Sequence, residues 1–245
     1  MDGFKQVSLA LATAGLLASG VAQAALHDRG GGLIYDDVLN ITWLQDANYA
    51  KTSGYDADGR IKWIDAMNWV SALSYGGYDD WRLPMIRDTG SPGCNPGFSG
   101  TDCGWNVQTR DAITGRVYSE LAYMFYVNLG NKGPYDAAGN GQGGYGIVDD
   151  PLNPNDESLF SDLRRGVYWS GQAVQPFGVS AWSFNMLDGY QSAYEEIFIR
   201  DNYAWPVRTG DVAAPIPEPE TYAMMLAGLG LLGVMTRRRK QKLNA

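Results

Sequence analysis

The stretch that most constrains this chain is Gly76-Gly77-Tyr78-Asp79-Asp80-Trp81-Arg82-Leu83-Pro84. Before it, Trp63, Ala66, Met67, Val70 and Leu73 recur at helical spacing, with Asp65, Asn68 and Ser71 left outward. The spacing predicts an amphipathic helix, and the paired glycines stop it. Trp81 and Leu83 then point to one face of a short extended segment, with Arg82 on the other. Pro84 removes a backbone donor and ends the pairing. The stretch reads as a strand entering a core, with Trp81 and Leu83 filling it and Arg82 paired with a carboxylate.

The flanking chain supplies mostly strands. Leu33-Ile34-Tyr35 and Ile41-Thr42-Trp43-Leu44 read as a hairpin around an Asp-Asp turn. Lys51–Arg60 is polar, and its Asp56-Ala57-Asp58-Gly59 lacks the later ligands of a calcium loop, so it reads as a plain turn. Val117–Leu129 places Leu121, Met124, Phe125 and Leu129 at helical spacing, a second helix. In the last third, Tyr168-Trp169-Ser170-Gly171 is one strand. Trp182, Phe184 and Met186 alternate with Ser183 and Asn185 in the next, predicting one buried and one polar face. Leu187-Asp188-Gly189 is a tight turn, and Tyr203, Trp205 and Val207 alternate in a closing strand. With 31 glycines, 15 tyrosines and 8 tryptophans, this is a loop-rich α+β domain of antiparallel strands and two helices.

Both ends read as targeting segments. Residues 1–24 carry Lys5, an apolar run and Ala22-Gln23-Ala24, the pattern of a secretory signal peptide. From residue 215 the tail has Pro217-Glu218-Pro219, an apolar segment from Tyr222 to Met235 and Arg237-Arg238-Arg239-Lys240. That segment is short for a full transmembrane span, and its basic end holds it on the cytoplasmic side. The three parts together resemble a PEP-CTERM sorting signal. The resemblance implies processing by exosortase, transient membrane contact through the C-terminal segment, and delivery to the cell surface or matrix of a Gram-negative bacterium that makes exopolysaccharide. A permanent anchor is the alternative. Between the signals, residues 25–214 form one domain with 13 basic and 24 acidic residues, a net charge of −11. Such a surface repels phosphate backbones and disfavours nucleic acid as a partner.

Gly76–Pro84 resembles the signature of the Lcl C-terminal domain family. Gly32-Leu33-Ile34-Tyr35-Asp36, Thr42-Trp43-Leu44, Tyr168-Trp169-Ser170, Ala181-Trp182 and Val207-Arg208 match it in order. The resemblance implies a C-type lectin-like fold and a structural role for Trp81, Arg82 and Arg208. The family's Glu-Leu after Leu-Pro corresponds to Glu120-Leu121, which makes Glu120 the expected partner of Arg82. Two insertions depart from the pattern, Asp88–Arg116 and Gly130–Ser161, and the family's cysteine near the last strand is absent.

The insertions hold most of the residues that carry chemistry. Cys94 and Cys103, the only cysteines, are expected to pair after export. Asp149, Asp150, Asp156 and Glu157, beside Asn153 and Asn155, are hard oxygen ligands at a density that suits calcium. A solvated acidic loop is the alternative reading. In a C-type lectin-like fold, ligands are expected at the long-loop end. There Tyr135, Tyr145, Asn153 and Asn155 could meet a sugar's C–H face and hydroxyls. With one histidine, no nucleophile–base pair or open metal site can be assembled, so catalytic residues are expected to be none. The expected function is a non-catalytic surface or matrix protein that binds glycan. A purely structural envelope or biofilm protein is the alternative, and an enzyme related to formylglycine-generating oxidases comes third.

Overall fold

The computed structural model describes residues 26–88, 96–98, 102–147, 159–174 and 178–212. Strand alternation sends side chains into two separate cores, and two sheets result. The first sheet is antiparallel: β1 (Leu26–Asp28), β2 (Leu33–Asp36) and β3 (Ile41–Leu44) form a meander. A late strand, β11 (Val207–Thr209), pairs with β3 to give the order β1-β2-β3-β11.

The second sheet contains β4 (Arg60–Ile61), β5 (Pro96–Gly97), β6 (Cys103–Gly104), β7 (Val167–Ala173), β8 (Ser180–Asn185), β9 (Tyr190–Glu196) and β10 (Asn202–Tyr203). Its order is β4-β10-β7-β8-β9-β6-β5. The β10–β7 and β5–β6 pairs are parallel, so this sheet is mixed and not purely antiparallel as expected.

Ile34, Trp43, Tyr168, Trp182 and Phe184 enter one core with Leu121, Phe125 and Trp205. Their chain neighbours Leu33, Leu44, Trp169 and Ala181 enter the other, with Ala66, Trp69, Trp81 and Leu83. Central strands are therefore covered on both faces, and the expected polar face of β8 is lost at Ser183 while Asn185 stays half-buried. Ser183 is as buried as its apolar neighbours. Small side chains at Ala181 and Ser183 allow the second layer to approach.

Among the described residues, three α-helices replace the expected two. The added one is a single turn, α1 (Tyr49–Thr52). Helix α2 (Trp63–Ser71) buries Ala66, Trp69 and Val70, so Trp69 joins the apolar stripe. Trp63 is only half-buried, and its indole N–H donates to the Ser170 carbonyl at 2.7 Å. Helix α3 (Glu120–Tyr123) starts where the Ser119 hydroxyl accepts from the Ala122 N–H at 3.1 Å. It continues as a π turn over Met124–Asn128, where Asn128 donates to the buried Asp36 carboxylate at 2.6 Å. Burial pushes the Asp36 carboxyl upward against the hydrogen bonds it accepts.

The closing strand is also two strands in two sheets. β10 lies in the second sheet and β11 in the first, and Trp205-Pro206 crosses between them. Trp205 donates to the Leu44 carbonyl at 2.7 Å and lies 4.6 Å, centroid to centroid, from Trp43.

The β8–β9 turn depends on Gly189, which has φ +77. A Cβ there would lie 2.5 Å from the Tyr126 hydroxyl oxygen and 2.6 Å from Phe125. Gly189→Ala is expected to destabilise the protein by more than about 1 kcal/mol, measured by urea unfolding. An unchanged midpoint would show that this turn relaxes freely.

Candidate functional site

The Trp81–Met85 segment forms no long strand, yet it joins both sheets and α3. Arg82 N–H donates to the Val207 carbonyl at 2.8 Å, and Val207 N–H returns to Arg82 at 2.9 Å. Gly171 N–H donates to the Pro84 carbonyl at 2.9 Å, and Glu120 N–H to the Met85 carbonyl at 3.0 Å. Alternation puts Trp81 and Leu83 into the second core and aims Arg82 at α3. Its guanidinium donates two hydrogen bonds of 2.8 Å to the Glu120 carboxylate, which also accepts from Met85 N–H at 2.7 Å. The Glu120 side chain is 4% exposed and that of Arg82 is 35% exposed. The pair thus neutralises a buried charge while one edge of the guanidinium meets water.

That edge lies in an open groove of about 550 Å³. Met67, Val70, Trp81, Leu83 and Met85 form its apolar floor, with Arg82 and Gln172 among its polar lining.

Arg208 serves a different contact from Arg82. It holds Asp80 through bonds of 2.7 and 3.0 Å, and its guanidinium lies 4.0 Å from the Tyr78 ring centroid. The Arg208 hydrogen bond holds the Asp80 carboxyl below its ordinary range. Three residues of the Gly76–Pro84 stretch therefore grip β11: Tyr78 and Asp80 by side chain, Arg82 by backbone.

The two insertions meet each other at the far end of the second sheet. β6 pairs with β9 at Gly104 and Gln191, and Gln191 donates to the Asp102 carbonyl at 2.6 Å. Asn106 then bridges the insertions, donating to the carbonyls of Phe98 at 2.7 Å and Tyr135 at 2.9 Å. Gln142 also donates to the Tyr135 carbonyl, at 3.1 Å. Four rings gather over this frame. Trp105 lies 4.9 Å from Tyr135, 4.8 Å from Tyr190 and 6.0 Å from Phe98, nearly parallel to the last. Phe98 is 42% exposed. Beneath them, Tyr126 accepts from Asn106 N–H and donates to the Gly189 carbonyl, and burial pushes its phenol up to about 12. Rigid, partly exposed rings beside amides suit stacking on a sugar's C–H face with polar contacts at its edge.

Of the residues expected at the ligand end, Tyr135 belongs to this aromatic junction. Tyr145 is 45% exposed, in the same insertion. Asp149, Asp150, Asn153, Asn155, Asp156, Glu157 and Cys94 lie outside the described residues. Cys103 is buried beside the junction. Among the described residues, no three His, Cys, Asp or Glu side chains are grouped to hold a metal. No described helix is long and apolar enough to cross a membrane, and residues 222–235 lie outside the described set. Phe98, Trp105 and Tyr190 escaped the sequence reading. For Phe98 and Trp105 the signal was a large aromatic side chain beside glycines, where nothing local requires one; Tyr190, at the start of β9, gave none.

The family model described as Lcl C-terminal domain matches residues 32–208, well over half of the chain. A second, described as the PEP-CTERM protein-sorting motif, matches residues 215–240. No curated protein and no solved structure matches the chain.

Two outcomes follow from the paired arginines. Arg82→Ala leaves the Glu120 carboxylate buried without its cation. It is expected to cost about 3 kcal/mol in chemical denaturation, the low end for a broken buried pair because Arg82 is partly in water. A loss under about 0.5 kcal/mol would show that Glu120 does not need it. For Asp80, a lowered folded-state pKa stabilises the protein above the ordinary carboxylate value, and the gain disappears as pH falls through the lowered one. The stability gap between the parent and Asp80→Asn should be widest near neutral pH and close in acid. A gap independent of pH would contradict the ion pair.

Proposed function

The chain belongs to the Lcl C-terminal domain family, and on that premise we propose that it is a non-catalytic surface or matrix protein that binds extracellular polysaccharide. The PEP-CTERM motif implies an exported protein, processed by exosortase and sorted to the cell envelope or surface of a Gram-negative bacterium. The glycan is the proposed part, and the observation that supports it is the aromatic junction between the insertions. Phe98, Trp105, Tyr135 and Tyr190 present rings at one end of a sheet that the rest of the chain holds rigid. In a C-type lectin-like reading of the fold, this is the long-loop end. Tyr145 and the acidic segment with Asp149, Asp150, Asp156 and Glu157 continue from the same insertion, and calcium held there would bridge sugar hydroxyls. Pyranose rings lie on aromatic faces because their axial C–H groups are apolar, so the net negative charge of the domain does not oppose neutral sugars.

The secreted protein should bind its host's exopolysaccharide on an array. Phe98→Ala should weaken that binding about tenfold, the equivalent of losing one stacked ring. A chelator should reduce it further if the acidic segment holds calcium. A protein that binds no polysaccharide, with or without calcium, would be a structural envelope component and the glycan reading would be wrong.

Export also places Cys94 and Cys103 in an oxidising compartment, where closing so short a loop contributes about 2.5–3 kcal/mol. Alkylation of the folded, non-reduced protein should label neither cysteine. Two labelled thiols would refute the bridge.

A further inference from the structure

The last described residue, Val212, is not a loose end. It is 3% exposed and packs in the second core. Its N–H donates to Asp211 at 2.8 Å, and Asp211 takes Arg29 through bonds of 2.9 and 2.6 Å. Arg208 donates to the Asp211 carbonyl at 3.2 Å while it grips Asp80 and covers Tyr78. The chain is therefore clamped up to Val212.

The sorting motif starts almost at once. Its match begins at residue 215, and Pro217 lies five residues after Val212. Five fully extended residues reach at most about 18 Å, and the ten to Tyr222, where the apolar segment starts, about 35 Å. A domain of this size has a radius of gyration of about 16 Å and is about 40 Å across. The tether is shorter than the domain is wide. Whatever binds Pro217-Glu218-Pro219 beside a membrane meets the face from which Val212 emerges.

That face fits such an encounter. Arg29, Gly30, Gly31, Leu33, Gly76, Tyr78 and Val212 line a shallow hollow of about 260 Å³ there. Its arginines are neutralised within the fold, Arg29 by Asp211 and Arg208 by Asp80. Each arginine and its acid cancel locally, so these pairs add little to the repulsion that a domain of net charge −11 feels from anionic headgroups.

We propose that the Val212 face is the surface this domain presents to exosortase at the membrane, and that the Tyr78–Asp80–Arg208 clamp sets the distance between them. The inference rests on the tail being an exosortase substrate, which the parent chain tests separately. The experiment follows the ratio of precursor to processed full-length chain in the native host by immunoblot. Deleting Ala213 and Ala214, which precede the motif, shortens the tether and should abolish processing, because a linker that cannot span its sites gives no effective concentration. Ala213→Gly with Ala214→Gly keeps the length and should process like the parent. Inserting ten Gly/Ser residues after Ala214 should also preserve processing. Asp80→Ala with Asp211→Ala in the deletion background removes the side-chain holds of Arg208 and Arg29, while the β3 ladder keeps Val207–Thr209 in place, and should restore part of it by adding residues 210–212 to the tether. Processing of the deletion chain at the parental rate would overturn the proposal. Failure of the double variant to restore any processing would overturn the role of the clamp. An unprocessed parent would instead overturn the reading of the tail, and this inference with it.

Discussion

A carboxylate with almost no access to water needs a partner, and the position of Glu120 makes Arg82 that partner. Because the Arg82 side chain must reach α3, its neighbours Trp81 and Leu83 are turned into the second core. Its backbone is left to pair with Val207, and Pro84 and Met85 then receive donors from Gly171 and Glu120. The two sheets and the helix are joined through five consecutive residues. Removing Arg82 would leave an unmet charge at the point where these elements meet, shielded from water except on the groove side.

Two cores separated by sheet-forming strands impose a second constraint. Every central strand must supply apolar or small side chains to both faces, which is why β8 reads Ala181-Trp182-Ser183-Phe184 with none of the four exposed. Alternation of large and small residues looks the same in sequence as alternation of buried and polar ones. Ser183 reads as polar because a lone sequence does not reveal a second layer. The hairpin, the α2 stripe and the Leu187–Gly189 turn were legible because each is set by neighbours within a few residues, whereas the extended Trp81–Pro84 segment was legible from its own alternation and proline although its partners are distant. The Trp205-Pro206 crossover was not, since the alternation of Tyr203, Trp205 and Val207 continues unbroken while the backbone changes sheets. The parallel β10–β7 pair depends on the same crossover and was equally hidden.

The aromatic junction shows the same limit at the candidate site. Phe98, Trp105, Tyr135 and Tyr190 come from three separate segments, and only the pairing of β6 with β9 and the bridging of Asn106 bring them together. Sequence reasoning expects the ligand end at the second insertion and names Tyr135 within it, a residue that the structure places in the junction. The first insertion entered that reading only through its cysteines, because the ring contacts join residues far apart in the chain.

The framework and the insertions therefore divide the work. Trp81–Met85 and the Arg208 clamp hold the sheets and the exit of the chain, while the insertions lie at another end and present the rings. Hydrogen exchange of the secreted protein, with and without its host's exopolysaccharide, tests this division directly. The account predicts slowed exchange at residues 102–106 and 132–142 on binding, with 81–85 unchanged. Slowed exchange along the Met67–Met85 groove, with none in the insertions, would contradict it.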